Sequence, residues 1–118
     1  MEKNKGAYLG TEINQKWWKR YTKLEFFSRG NGEYWLDDNG LYFLKFFTRA
    51  NIFIPFDSII EVKIGTWHSG RWALGAKILK VVWVKDGLML SSGFIVSKQE
   101  DQLNKFKSLL LSNLKNKN

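Results

Sequence analysis

At 118 residues, with 44% hydrophobic and 16% aromatic content, the chain has the size and composition of one globular domain with a core of its own. It holds no Cys and one His, which removes disulfides and thiolate metal sites and leaves little for acid–base chemistry. A net charge of +8 points to an anionic partner or serves solubility.

Residues 1–22 read as an irregular N-terminal segment, with a short strand over 8–13 and a helical turn or basic loop over 14–21. No apolar run follows Met1-Glu2-Lys3-Asn4-Lys5, so no secretory leader is expected. No stretch is long and apolar enough to span a bilayer. The expectation is a cytoplasmic protein, with peripheral attachment to a membrane left open.

Strand signals begin at Leu24. Short aromatic and β-branched runs occupy 24–28, 33–38, 41–47, 52–56, 59–65, 77–85 and 88–96. Asn31-Gly32, Asn39-Gly40 and Asp86-Gly87 punctuate them, and such pairs tolerate the positive φ of a tight hairpin. About Asn39-Gly40, Tyr34, Leu36, Leu41 and Phe43 share one face, and Trp35, Tyr42, Leu44 and Phe46 the other. One face joins the core. The N-terminal segment is the expected cover for the other, with self-association as the alternative. Pro55 cannot donate to a ladder, which predicts an edge strand over 52–56. Ile60, Val62 and Ile64 alternate with Glu61 and Lys63, the pattern of a half-buried strand. About Asp86-Gly87, the core set is Leu79, Val81, Trp83, Leu88, Leu90, Phe94 and Val96, with Lys80 and Ser91 on the opposite face.

Ser97-Lys98-Gln99-Glu100 has the form of a capping box. Leu103, Phe106, Leu110 and Leu114 then recur at helical spacing, which predicts one helix over 98–115. The predicted fold is mainly β: a seven-stranded, bent antiparallel barrel or sandwich capped by one C-terminal helix, in a single domain over 1–118.

That order of elements resembles the pleckstrin-homology-like superfold. Two pieces also resemble prokaryotic pleckstrin-homology-like and GRAM-type domains: Asp38-Asn39-Gly40-Leu41-Tyr42-Phe43-Leu44, and Ile54-Pro55-Phe56-Asp57-Ser58-Ile59-Ile60-Glu61-Val62, where such domains often read G-L-x-F and I-P-x-x-x-I-x-x-V. The similarity covers residues 33–114. Eukaryotic members usually carry a Trp in the closing helix, where this chain offers Phe106. No basic phosphoinositide signature stands between its first two strands, so the resemblance does not bring lipid binding with it. It implies a binding module for lipid, peptide or protein, and fold alone does not choose among these.

Two segments are candidates for a binding surface. Residues 14–29 hold five basic residues and one acid, and residues 66–85 hold four basic residues and no acid. In the first, Lys16, Trp18, Lys19 and Arg20 mix cations with an aromatic that favours a headgroup region. In the second, Trp67, His68, Arg71 and Trp72 are typical interface residues, with Lys77 beyond them. The alternative is that the Trp rings pack on the strands while the charges face water. His68 has no orienting partner nearby in sequence, so a catalytic role is not expected. No Walker loop, dinucleotide fingerprint, nucleophile elbow or metal-ligand spacing is present, and no cofactor or metal is expected.

The sequence therefore predicts a non-catalytic binding module, monomeric or weakly self-associating, that contacts an anionic membrane surface or a protein. Single-stranded nucleic acid is the alternative ligand, since cations interleaved with aromatics suit base stacking. The strands end in a helix rather than following an oligonucleotide-binding barrel, so nucleic acid is not the expected partner.

Overall fold

A computed structural model describes residues 3–14, 16–20, 30–46, 51–68, 71–72, 77–97 and 99–116. Among the described residues, ten strands precede one α-helix: β1 (Asn4–Ile13), β2 (Lys16–Arg20), β3 (Gly30–Leu36), β4 (Gly40–Lys45), β5 (Asn51–Pro55), β6 (Ile59–Gly65), β7 (Trp67–His68), β8 (Arg71–Trp72), β9 (Ile78–Lys85), β10 (Leu88–Ile95) and α1 (Glu100–Asn116). Seven of them form one antiparallel sheet in the order β5-β4-β3-β1-β10-β9-β6. β2 hangs from β1, and β7 pairs only with β8.

Residues 4–13 and 16–20 of the N-terminal segment are strands rather than irregular chain. β1 is ten residues long and lies in the middle of the sheet, with β3 on one side and β10 on the other. Weak alternation hid it, because Gly6 and Gly10 interrupt the pattern and a bulge breaks its register between Tyr8 and Thr11. The expected strand over 24–28 lies outside the described residues. Seven main strands is the number anticipated, but β1 takes the first place.

The sheet is bent rather than closed. β5 and β6 end the hydrogen-bonded path, and α1 packs against β6 and against the 3-10 turn Phe56–Ser58 that follows β5. The helix thus lies along the opening that a barrel would close with hydrogen bonds. Leu103 and Leu110 of α1 are fully buried there, against a core that includes Tyr8, Phe43, Ile54, Trp83, Leu90 and Phe94. Full burial of each such side chain contributes about 1.5–3 kcal/mol. Phe106 is only half-buried and packs edge-on against Tyr34 at 5.0 Å between centroids.

The last hairpin has the predicted register. Trp83 faces Leu90 and Lys85 faces Leu88, about a turn in which Asp86 and Gly87 both take positive φ, 53° and 77°. That is the type I′ geometry its sequence favours. The other two turn signals behave differently. Neither Asn39 nor Gly40 has positive φ. Instead the Asp37 carboxylate accepts from the N–H groups of Asn39 and Gly40 at 2.7 and 3.1 Å, an Asx turn that satisfies the loop with a side chain. Asn31 and Gly32 lie within β3, paired to Ala7 and Gly6; the partner strand overrides the local turn preference.

Two further expectations change. A bulge between Ile59 and Glu61 puts Ile59 opposite Trp83 and leaves Ile60 59% exposed. The capping box is not reciprocal: Ser97 Oγ accepts from Gln99 N–H at 3.0 Å, while Glu100 pairs with Lys77 at 3.0 Å.

Candidate functional site

The bulge in β1 builds a seat on the outer face of the sheet. Tyr8 pairs with Phe94 and Thr11 with Ser92, so Leu9 and Gly10 together oppose Gly93 alone. A bulge withdraws backbone groups from the ladder, and here the Gly10 carbonyl turns to His68, whose Nε2 lies 2.9 Å away. A carbonyl can only accept, so Nε2 carries the proton. His68 Nδ1 lies 3.7 Å from Glu12 Oε1, and both residues are buried. The ring presses on Gly93, where a Cβ would stand 2.4 Å from His68 Cδ2. His68 therefore does not belong to an exposed binding surface, as its sequence neighbourhood suggested. It anchors the β7–β8 hairpin, in which Trp67 pairs with Trp72 and His68 with Arg71.

The other basic segment arrives at the same place. Asn14, with φ 54°, reverses the chain after β1, a conformation Asn tolerates. β2 then returns along β1 with Lys16 opposite Ile13 and Arg20 opposite Glu12. The backbones that carry Lys16, Trp18, Lys19 and Arg20, and those that carry Trp67, Arg71 and Trp72, thus meet around residues 10–13 of β1. Nothing in the sequence joined these segments; the bulge and the His68 contact do.

Two cations missed in the sequence stand beside this seat. Lys80 pairs with Gly93, and Lys63 pairs with Lys80, forming a row across β10, β9 and β6 on the outer face. Lys63 lies 3.9 Å from Glu61. The alternation around Lys63 marked it as outward-facing, but only the β6–β9 pairing brings it to Lys80. Lys77, expected in the surface, is held by Glu100 in the first turn of α1 instead. That pair is exposed and contributes little to stability.

Further along the sheet, the outer face of β3, β4 and β5 carries a row of stacked rings. Trp35 and Tyr42 lie 5.3 Å apart and Tyr42 and Phe53 4.6 Å apart. Residues 4–13 of the N-terminal segment lie beside this hairpin as β1, and Lys3 reaches across it, 4.8 Å from the Trp35 ring. Among the described residues no group of three His, Asp or Glu could hold a metal ion, and no helix is long and apolar enough to cross a membrane.

A bent meander whose first strand pairs with its last, with one helix along the opening, is the arrangement the sequence resemblance implied. The family model described as bacterial PH domain-like matches residues 1–109. The chain belongs to this family. No curated protein is significantly similar to it. Within this PH-like chain, β2 and the β7–β8 hairpin lie off the main sheet path, and both lie at the same end of β1. Family membership supports a small binding module and leaves its ligand open.

Proposed function

We propose that this PH-like chain is a non-catalytic binding module that contacts an anionic membrane surface through the outer face around β2, the β7–β8 hairpin, Lys63 and Lys80. The observation that carries this reading is the meeting of two acid-poor segments at residues 10–13 of β1. The strand pairings bring the backbones that carry Lys16, Lys19 and Arg20 on β2 and Arg71 on β8 to that point, with Arg20 opposite Glu12, and the Lys63–Lys80 row lies beside them. Glu12 is buried beside His68 and does not oppose them at the surface, while Glu61 lies 3.9 Å from Lys63 at the edge of the row. Trp17, Trp18, Trp67 and Trp72 lie in the same two segments, and Trp favours the headgroup layer.

Each cation near an anionic leaflet contributes about 1 kcal/mol. Three supply about 3 kcal/mol, roughly a hundredfold in affinity. Binding of this kind weakens steeply with salt. The test is co-sedimentation with phosphatidylserine-containing and with neutral vesicles, at low and high salt, with single-stranded DNA in parallel. Expected is salt-sensitive binding to the anionic vesicles alone, lost when Arg20, Lys63 and Lys80 are all changed to Gln. Absence of vesicle binding at low salt discards the reading, and preferential binding to DNA replaces it with the nucleic-acid one.

A further inference from the structure

An open groove of 470 Å³ runs between β3 and α1. Its floor is apolar: Tyr34, Trp35 and Leu36 from the sheet, Phe106 and Leu109 from the helix. Gln102, Lys105, Phe106 and Leu109 succeed one another at helical spacing along one flank of α1. This flank is distinct from the stripe of Leu103 and Leu110 that enters the core. Leu109 is 53% exposed although it is a large apolar residue. The Tyr34 hydroxyl is committed to the Val96 carbonyl at 2.8 Å, so its ring serves as wall rather than donor.

Among the described residues that line this groove, the charge is positive. Lys105 lines it, Lys3 stands over the Trp35 ring, and no carboxylate lines it. Asp37, next after Leu36, accepts from Asn39 and Gly40 in its own turn. We infer that this groove binds a short acidic peptide segment of a protein partner, with one or two apolar side chains seated between Trp35, Phe106 and Leu109 and a carboxylate held by Lys105 and Lys3. Charge complementarity selects an acidic segment, and the exposed Leu109 supplies an apolar contact that an ion pair alone lacks. Asn4 at the groove and Glu12 at the basic face lie on the same strand, eight residues apart. At about 3.3 Å per residue they are at most about 26 Å apart, and the groove shares no lining residue with the basic site.

The test selects binders from a displayed library of random short peptides on the full chain. Recovered peptides are then titrated against wild type, Leu109→Glu, Lys105→Glu and, as a control outside the groove, Lys80→Gln. Both helix positions are on the surface side of α1, and circular dichroism checks that each variant stays folded. Expected are peptides that combine Asp or Glu with Leu or Phe, whose affinity falls about tenfold or more in Leu109→Glu and Lys105→Glu and is unchanged in Lys80→Gln. Basic or neutral peptides, or indifference to both helix substitutions, would overturn the inference. So would a concentration-dependent dimer dissolved by Leu109→Glu, which assigns the groove to a second copy of the chain. Loss of vesicle binding in Lys105→Glu, with no peptide recovered, assigns it to the membrane instead.

Discussion

His68 Nε2 lies 2.9 Å from the carbonyl oxygen of Gly10, 58 residues before it in the chain. The contact exists because the β1 bulge frees that carbonyl and because Gly93 leaves room for the ring. A methyl group at 93 would stand 2.4 Å from His68 Cδ2 and 2.6 Å from Cγ. Gly93→Ala is therefore expected to push the β7–β8 hairpin off the sheet and cost about 1–3 kcal/mol. In the His68→Ala background the same substitution has no ring to meet. Urea unfolding of the four variants of this cycle should give a coupling of about 0.5–3 kcal/mol. Costs that simply add would mean that the ring's contact with Gly93 does not hold the hairpin.

Beneath the same bulge, on the core side, four side chains form a polar chain. Trp83 Nε1 donates to Ser92 Oγ at 3.0 Å, Ser92 meets Thr11 at 2.7 Å, and Thr11 meets the Tyr8 hydroxyl at 2.5 Å. Ser92 is the shared node, so Ser92→Ala leaves the buried indole N–H without its acceptor. The expected loss is about 1–3 kcal/mol. Thr11→Val leaves the indole its acceptor and spares that part of the loss. Thermal or urea unfolding of both variants checks the order.

Much of the fold was legible because local signals and packing agree. Asp86-Gly87 has the residues for its turn, and the hairpin around it buries Trp83, Leu90 and Phe94 while Lys80 and Ser91 face the other way. Leu103 and Leu110 likewise announced the buried stripe of α1. What stayed hidden depends on contacts distant in sequence. β1 owes its place to partners on both sides, and its alternation is broken by Gly10 and the bulge. Ile60 looked inward until the bulge in β6 exchanged it for Ile59. The candidate surface was half legible: its cations and Trp residues were visible as two segments. Their meeting, the role of His68 as an anchor, and the addition of Lys63 and Lys80 required strand pairing that no local pattern encodes.

The closing helix should hold the fold through two positions rather than through its aromatic residue. Leu103 and Leu110 are fully buried, and each substitution to Ala should cost about 2–5 kcal/mol. Phe106 stands where the resemblance places a helix Trp. It is half-buried at the edge of the groove, so Phe106→Ala should cost less than either Leu substitution. A chain ending at Val96 exposes the core between β5 and β6 and should lose cooperative unfolding. A truncated chain that still melts cooperatively would show that the helix is dispensable.

Tyr42 provides a pH-dependent readout of the hairpin that bears the stacked rings. Its hydroxyl hydrogen-bonds to Asp37, which raises its pKa above the ordinary tyrosine value; burial and the negative charge of Asp37 act in the same direction, and a hydrogen bond from Asn39 partly opposes them. All three raising effects favour the neutral phenol. A group raised in the folded state contributes its stabilisation fully below its unfolded pKa and loses it as pH rises through its folded pKa. The contact therefore supports the fold at neutral pH and is withdrawn only on the alkaline side. Asp37→Asn keeps an oxygen that can accept from Asn39 and Gly40, so the turn persists, but it removes the charge. The Tyr42 pKa, read from its ring Cζ resonance by NMR titration, should then fall toward the ordinary value. An unchanged titration in Asp37→Asn would mean that Asp37 does not set the Tyr42 pKa.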